Sequence, residues 1–124
     1  YEGQAVIPDP LVEAVVAPAA ARADEQRNQL LGPIASEGFV RIRERENPLG
    51  NLFVDLMLAE VPADVAVING GGLRADLPAG PITYGGLFEA MPFDNRIVIV
   101  EATADDFARV LERNATSDAG FLSI

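Results

Sequence analysis

The sequence predicts an α+β domain, with helices packed on a small mixed β-sheet and functional groups at the loop ends. Two segments place an apolar face at helical spacing behind a cap: Leu49, Leu52, Phe53, Leu56 and Met57 after Asn47-Pro48, and Phe107, Val110 and Leu111 after Thr103. Two short apolar runs, 64–68 and 96–101, read as strands, the first too apolar for a strand with one wet face. Glycine- and proline-rich turns punctuate these elements. A chain of 124 residues suits one domain with a modest core.

Taken in order, the first element is a helix from about Asp9 to Leu31. Asp9 caps it, Pro10 takes its first position, and Leu11, Val12, Val15, Val16 and Ala19 form a stripe. Pro18 costs roughly 3 kcal/mol in a helix interior, which predicts a kink or a split there. Polar groups gather from Arg22 to Gln29, and Gly32-Pro33 is expected to stop the run. Such a helix reads either as a connector or as an ordinary surface helix. Residues 39–43 alternate apolar and basic after Phe39, the pattern of a half-exposed strand. The helix opened by Asn47-Pro48 ends before Pro62, and the buried strand at 64–68 runs straight into Asn69-Gly70-Gly71-Gly72. A short helix is expected over about 84–90, then a turn at Met91-Pro92-Phe93-Asp94-Asn95 and a strand over 96–101. Thr103 and Asp106 cap the last helix. Gly120-Phe121-Leu122 resembles the start of a further strand, so the domain is expected to be incomplete at its C-terminus.

Composition removes several function classes. The net charge of −10, from 19 acids and 9 bases, opposes a nonspecific grip on nucleic-acid polymers or anionic lipid. No stretch approaches the length and apolarity of a membrane span. There is no cysteine, hence no thiolate metal site or disulfide, and no histidine, hence no histidine-based catalysis or metal ligation. All nine bases are arginine, whose planar fork suits phosphate and carboxylate even on an acidic body.

The segment richest in chemistry is Asn69-Gly70-Gly71-Gly72-Leu73-Arg74. Three glycines after a buried strand let the backbone take positive φ angles and approach a ligand without Cβ interference. Arg74 offers a charge-assisted fork for phosphate, and Asn69 an amide donor and acceptor. From chemistry alone a second reading stands beside this one: a tight turn with Arg74 paired to Asp76. Phe93 is likewise either a ring held out for a ligand or a core residue. Phe53, Phe88 and Phe107 read as core, and Asn51 and Asp55 as structural hydrogen-bonding groups. There is no GxGxxG, and no lysine for a P-loop.

The stretch 69–84 (NGGGLRADLPAGPITY) followed by Met91-Pro92-Phe93-Asp94-Asn95 resembles the signature of the C-terminal domain of the 5'-nucleotidase family. Residues 43–51 with Asp55 resemble that domain's upstream motif, and the helix from Asp9 resembles the segment joining it to the catalytic domain. The resemblance covers about Asp9 to Phe121 and implies a division into a connecting helix and lead-in segment, 1–34, and a nucleotide-binding domain, 35–124. It implies that Arg74 meets the substrate phosphate or ribose, that Asn69, Gly71 and Gly72 lie against the nucleotide, and that Phe93 stacks on the base. Asn95 reaches the base edge by the same comparison. An upstream arginine reaches the phosphate, with Arg43 the better match and Arg45 second. Arg41, Arg43 and Arg45 alternate along one strand and share a face, so the pattern does not separate them further.

The family's dimetal site lies in an N-terminal metallophosphoesterase domain on Asp, His and Asn ligands, which a chain without histidine cannot supply. No catalytic residue, metal ligand or cofactor is therefore expected in this chain. Its partners would be a nucleotide substrate and that N-terminal domain, and divalent ions would sit in the latter. The second aromatic ring of the family's base clamp lies beyond this sequence, which predicts weak binding and catalytic silence in isolation. Relatives act on nucleoside monophosphates, UDP-sugars, cyclic nucleotides or other phosphoesters, and are commonly periplasmic, cell-surface or secreted. A non-catalytic binding or interaction module with the same fold is the alternative, separated by the sequence upstream of Tyr1. A branch acting on a sulfur compound should disturb the ring at position 93.

Overall fold

The computed structural model describes residue 3, residues 7–116 and residues 122–124. In chain order these form α1 (Pro10–Arg27), β1 (Leu30–Ala35), α2 (Pro48–Glu60), β2 (Ile68–Asn69), a 3₁₀ turn (Gly70–Gly72), β3 (Gly80–Thr83), α3 (Tyr84–Ala90), α4 (Ala104–Thr116) and β4 (Leu122–Ser123). The α+β class stands. The sheet differs from expectation: among the described residues there are two separate two-stranded ladders, β1 with β3 and β2 with β4, both antiparallel.

Helix α1 starts where its cap dictates, with Asp9 Oδ1 accepting the amides of Leu11 and Val12 at 2.8 and 3.3 Å. It then continues through Pro18 as one helix, so no split occurs there. No residue of α1 is buried, so the carbonyl that Pro18 deprives of an amide partner faces water. The helix ends at Arg27 rather than Leu31, because Leu30 and Leu31 join β1. Gly32-Pro33 does not stop a helix. It lies in an irregularity of the ladder between the pairs Leu30–Thr83 and Ile34–Pro81, and Gly32 has φ of 147°, which favours glycine. β1 thus runs on past residue 34 as one strand of the β1–β3 ladder.

Helix α2 forms as its sequence signals: Asn47 Oδ1 accepts the Gly50 amide at 2.9 Å, and Pro48 takes the first turn. Its inner face, Leu49 and Phe53, meets Leu73, Leu77 and Ala90 in the buried core, with Phe39, Ile68 and Leu87 packed around them. Gly50 lets β4 come close, since a Cβ there would stand 2.7 Å from Ser123 Cβ. The Asn114 side chain secures β4 through both backbone groups of Leu122, at 2.7 and 3.0 Å. Gly120 and Phe121 lie outside the described residues.

Three expected strands shrink or vanish. Residues 39–43 make only one bridge, Phe39 with Leu77, through bonds of 2.7 and 3.0 Å. Residues 64–67 are not paired; pairing begins at Ile68, and Val65 and Val67 are exposed. Residues 96–101 form no strand, and Ile97 to Val100 are all exposed, Val98 to 76%. An apolar run becomes a strand only when a neighbour supplies the other half of its ladder, and none of the described residues does so here. Phe88 is exposed too, stacked on Tyr84 with ring centres 6.1 Å apart, and Phe107 is half-buried; only Phe53 of the three expected core rings is buried. Among the described residues no helix is long and apolar enough to cross a membrane.

Candidate functional site

The candidate site grows from the end of β2. Gly70–Gly72 wind a single 3₁₀ turn, closed by the Leu73 amide on the Gly70 carbonyl at 3.2 Å. None of the three uses the positive φ that glycine permits. The Asn69 side chain folds over the turn, where a Cβ on Gly71 or Gly72 would lie 3.4 Å from its Nδ2 or Oδ1, an ordinary contact distance. Leu73, 1% exposed, then plugs into the core and fixes the turn against α2.

Burying Leu73 leaves Arg74 outside. Its amide donates to the Ala90 carbonyl at 2.7 Å, which fastens it to the end of α3. Just beyond that end of α3 stands Phe93, 41% exposed, and the Arg74 guanidinium carbon sits 5.4 Å from the centre of its ring. The motif arginine and the turn phenylalanine, 19 positions apart in the sequence, are therefore side by side. The geometry is that of a cation–π pair.

The pairing of Arg74 with Asp76 does not form. Asp76 instead accepts the backbone amide of Arg41 at 2.8 Å, and Arg41 Nη1 donates to the Arg74 carbonyl at 3.2 Å. Arg41 Nε is buried and has no hydrogen-bond partner among the described residues. The guanidinium that reaches the Arg74 loop is thus Arg41, while Arg43 and Arg45 are exposed along the same segment. The Phe39–Leu77 bridge sets that placement, because it brings residue 41 alongside residues 74–76. Sequence alternation placed the three arginines on one face and could not tell which would touch the loop. Asn95 is exposed two residues past Phe93. Asn51 donates to Glu46 at 3.0 Å, a local structural contact as expected.

A groove of about 640 Å³ lies elsewhere, lined by Val65, Val67, Ile99, Val100, Phe107 and Val110 with Asp64, Glu101 and Asp106 among its walls. None of the seven expected ligand-binding residues lines it, and its carboxylates would repel a phosphate. Size alone therefore does not mark the anion site. Among the described residues no three of His, Cys, Asp and Glu gather where they could hold a metal ion.

The chain is similar to several known proteins. The family described as 5'-nucleotidase, C-terminal domain, matches residues 23–123. The endonuclease YhcR of Bacillus subtilis is 41% identical over 66 residues, which is 53% of this chain and 5% of that protein. A 5'-nucleotidase of Vibrio parahaemolyticus is 32% identical over 75 residues, 60% of this chain and 13% of its own length. Among solved structures, a 5'-nucleotidase precursor from Thermus thermophilus superposes with a TM-score of 0.56 at 32% identity, covering 68% of this chain and 18% of that one. The chain thus spans a small part of the relatives it matches. It belongs to the 5'-nucleotidase C-terminal domain family.

Proposed function

We propose that this family member is the substrate-recognition domain of a metal-dependent 5'-nucleotidase-type phosphohydrolase. It holds the base and ribose of a nucleotide so that the phosphate reaches a dimetal site in an N-terminal metallophosphoesterase domain. The observation that carries this reading is the Arg74–Phe93 pair, an anion-seeking fork beside an aromatic plate. Around it, Asn69, Gly71 and Gly72 offer a close backbone surface, and Asn95 an amide for a base edge. Arg43, exposed on the segment that carries Arg41, is the further phosphate contact that the family resemblance implies.

This chain does not fit the metal centre itself, having no histidine and no gathered carboxylates among the described residues. Bound in its own domain, a pair of divalent ions would polarise the phosphate and activate water. The residues of this chain position and do not cleave. An extracytoplasmic location accords with the family resemblance.

Stacking contributes on the order of 1–3 kcal/mol per base, and a hydrogen bond to a charged group about 1.5–3 kcal/mol. One ring and one or two arginines therefore place binding by this chain near millimolar. The test is a nuclear magnetic resonance titration with AMP. Shifts should concentrate at Gly71, Gly72, Arg74, Phe93 and Asn95, and Phe93→Leu should weaken binding about tenfold. Shifts confined to the 64–67 and 99–110 groove, or metal-dependent phosphatase activity in the purified 124-residue chain, would refute the assignment.

A further inference from the structure

Arg74 has a fixed backbone and a loose side chain. Its amide is tied to the Ala90 carbonyl at 2.7 Å and its own carbonyl to Arg41 Nη1 at 3.2 Å. The side chain is exposed, and among the described residues no carboxylate or hydrogen-bond acceptor holds its guanidinium. Its neighbour is the Phe93 ring, 5.4 Å from the guanidinium carbon. So the group that attracts a phosphate rests against the surface that would receive a base.

Resting on the nucleotide-binding reading above, we propose that Arg74 is a phosphate-released cover for the Phe93 ring, which makes the site select phosphorylated nucleosides over free nucleosides. The ordering follows from magnitudes. A guanidinium over an exposed ring biases an equilibrium about two- to fivefold. A charge-assisted hydrogen bond to phosphate biases it roughly ten- to a hundredfold. A nucleotide draws Arg74 off the ring with its phosphate and gains both the fork and the plate. A nucleoside has nothing to draw it off, and must displace the guanidinium for stacking alone. The anchored backbone matters here. With both ends of the Arg74 peptide held, the arm swings about a fixed base and the turn need not remodel.

The experiment compares adenosine and AMP on the wild-type chain and on Arg74→Ala, following the Phe93 resonances. Arg74→Ala should weaken AMP about tenfold or more and strengthen adenosine about two- to fivefold. That opposite response of the two ligands is what an arginine serving only as a phosphate contact would not produce. If Arg74→Ala leaves adenosine unchanged or weakens it, the cover is wrong while nucleotide binding stands. If neither ligand moves the Phe93 signals of the wild type, nucleotide binding fails and the cover with it. A second measurement needs no variant. In the free wild-type chain the Arg74 side-chain protons should be shifted upfield by the ring, and inorganic phosphate should abolish that shift where chloride at equal ionic strength does not. Persistence of the upfield shift in saturating phosphate would overturn the proposal.

Discussion

Residues 30–93 and residues 94–116 are both rich in apolar side chains, yet the buried cluster is drawn from the first set alone. In the first, Leu49, Leu73 and Ala90 are nearly or wholly shielded and drawn together from α2, the glycine turn and α3. In the second, Ile97, Val98, Ile99 and Val100 run consecutively and all four remain open to water. Hydrophobicity by itself does not make a core; a second surface must arrive to share it. The candidate site sits on the assembled region, which is what a rigid ligand cradle needs.

The difference can be broken or sharpened by substitution. The largest effect is expected at Leu73, where Leu73→Ala should cost about 2–5 kcal/mol in urea unfolding and release the turn that presents Arg74. Val98→Ala, at an exposed position, should stay within about 0.5 kcal/mol; an equal loss at both would erase the contrast. Next comes Gly50→Ala. The new methyl would press on Ser123, and stability should fall by about 1–3 kcal/mol by the same assay. A neutral result would mean that β4 does not hold that close approach.

The smallest effect belongs to α4. Asp106 accepts from the Thr103 hydroxyl at 2.6 Å and from its amide at 3.2 Å, and those bonds, the hydroxyl's first, hold its carboxyl below the usual aspartate range. A depressed folded value means that the contribution is present above the unfolded value and fades as pH falls through the folded one. Asp106→Asn should therefore loosen the first turn of α4 at neutral pH and change little in strong acid, read from amide exchange at residues 104–107. Equal loosening at both extremes would show that the capping does not depend on the charge.

Legibility in the sequence followed the range of the interactions. Caps are local, so α2, α3 and α4 were readable from Asn47-Pro48, the run from Tyr84, and Thr103 with Asp106, whereas the expected apolar faces are covered only in part, Leu56, Val110 and Leu111 being exposed. Strand pairing is not local. Leu30 and Leu31 continue a helical pattern well enough, and only the partner at 80–83 turns them into strand. The 96–101 run has ideal strand composition and no described partner. For the site, the motif named Arg74 and Phe93, and the structure brings their side chains together. Which of Arg41, Arg43 and Arg45 would touch the Arg74 loop depended on a single bridge between Phe39 and Leu77, which no spacing rule reveals. The glycines were expected for their φ freedom, and none of the three uses it.

Helix α1 stands on a narrow footing. Its Arg27 end rests on α3, where a side chain on Gly85 would come within 2.9 Å of the Arg27 carbonyl, Arg27 pairs with Glu89, and the Tyr84 amide holds the Gln29 carbonyl at 2.9 Å. Eighteen residues of helix extend from that footing, about 27 Å at the usual rise. The rod is a pointer on a short mount: tilting the mount by about 10° sweeps the far tip through about 5 Å. A displacement too small to notice beside Phe93 would be plain at Asp9.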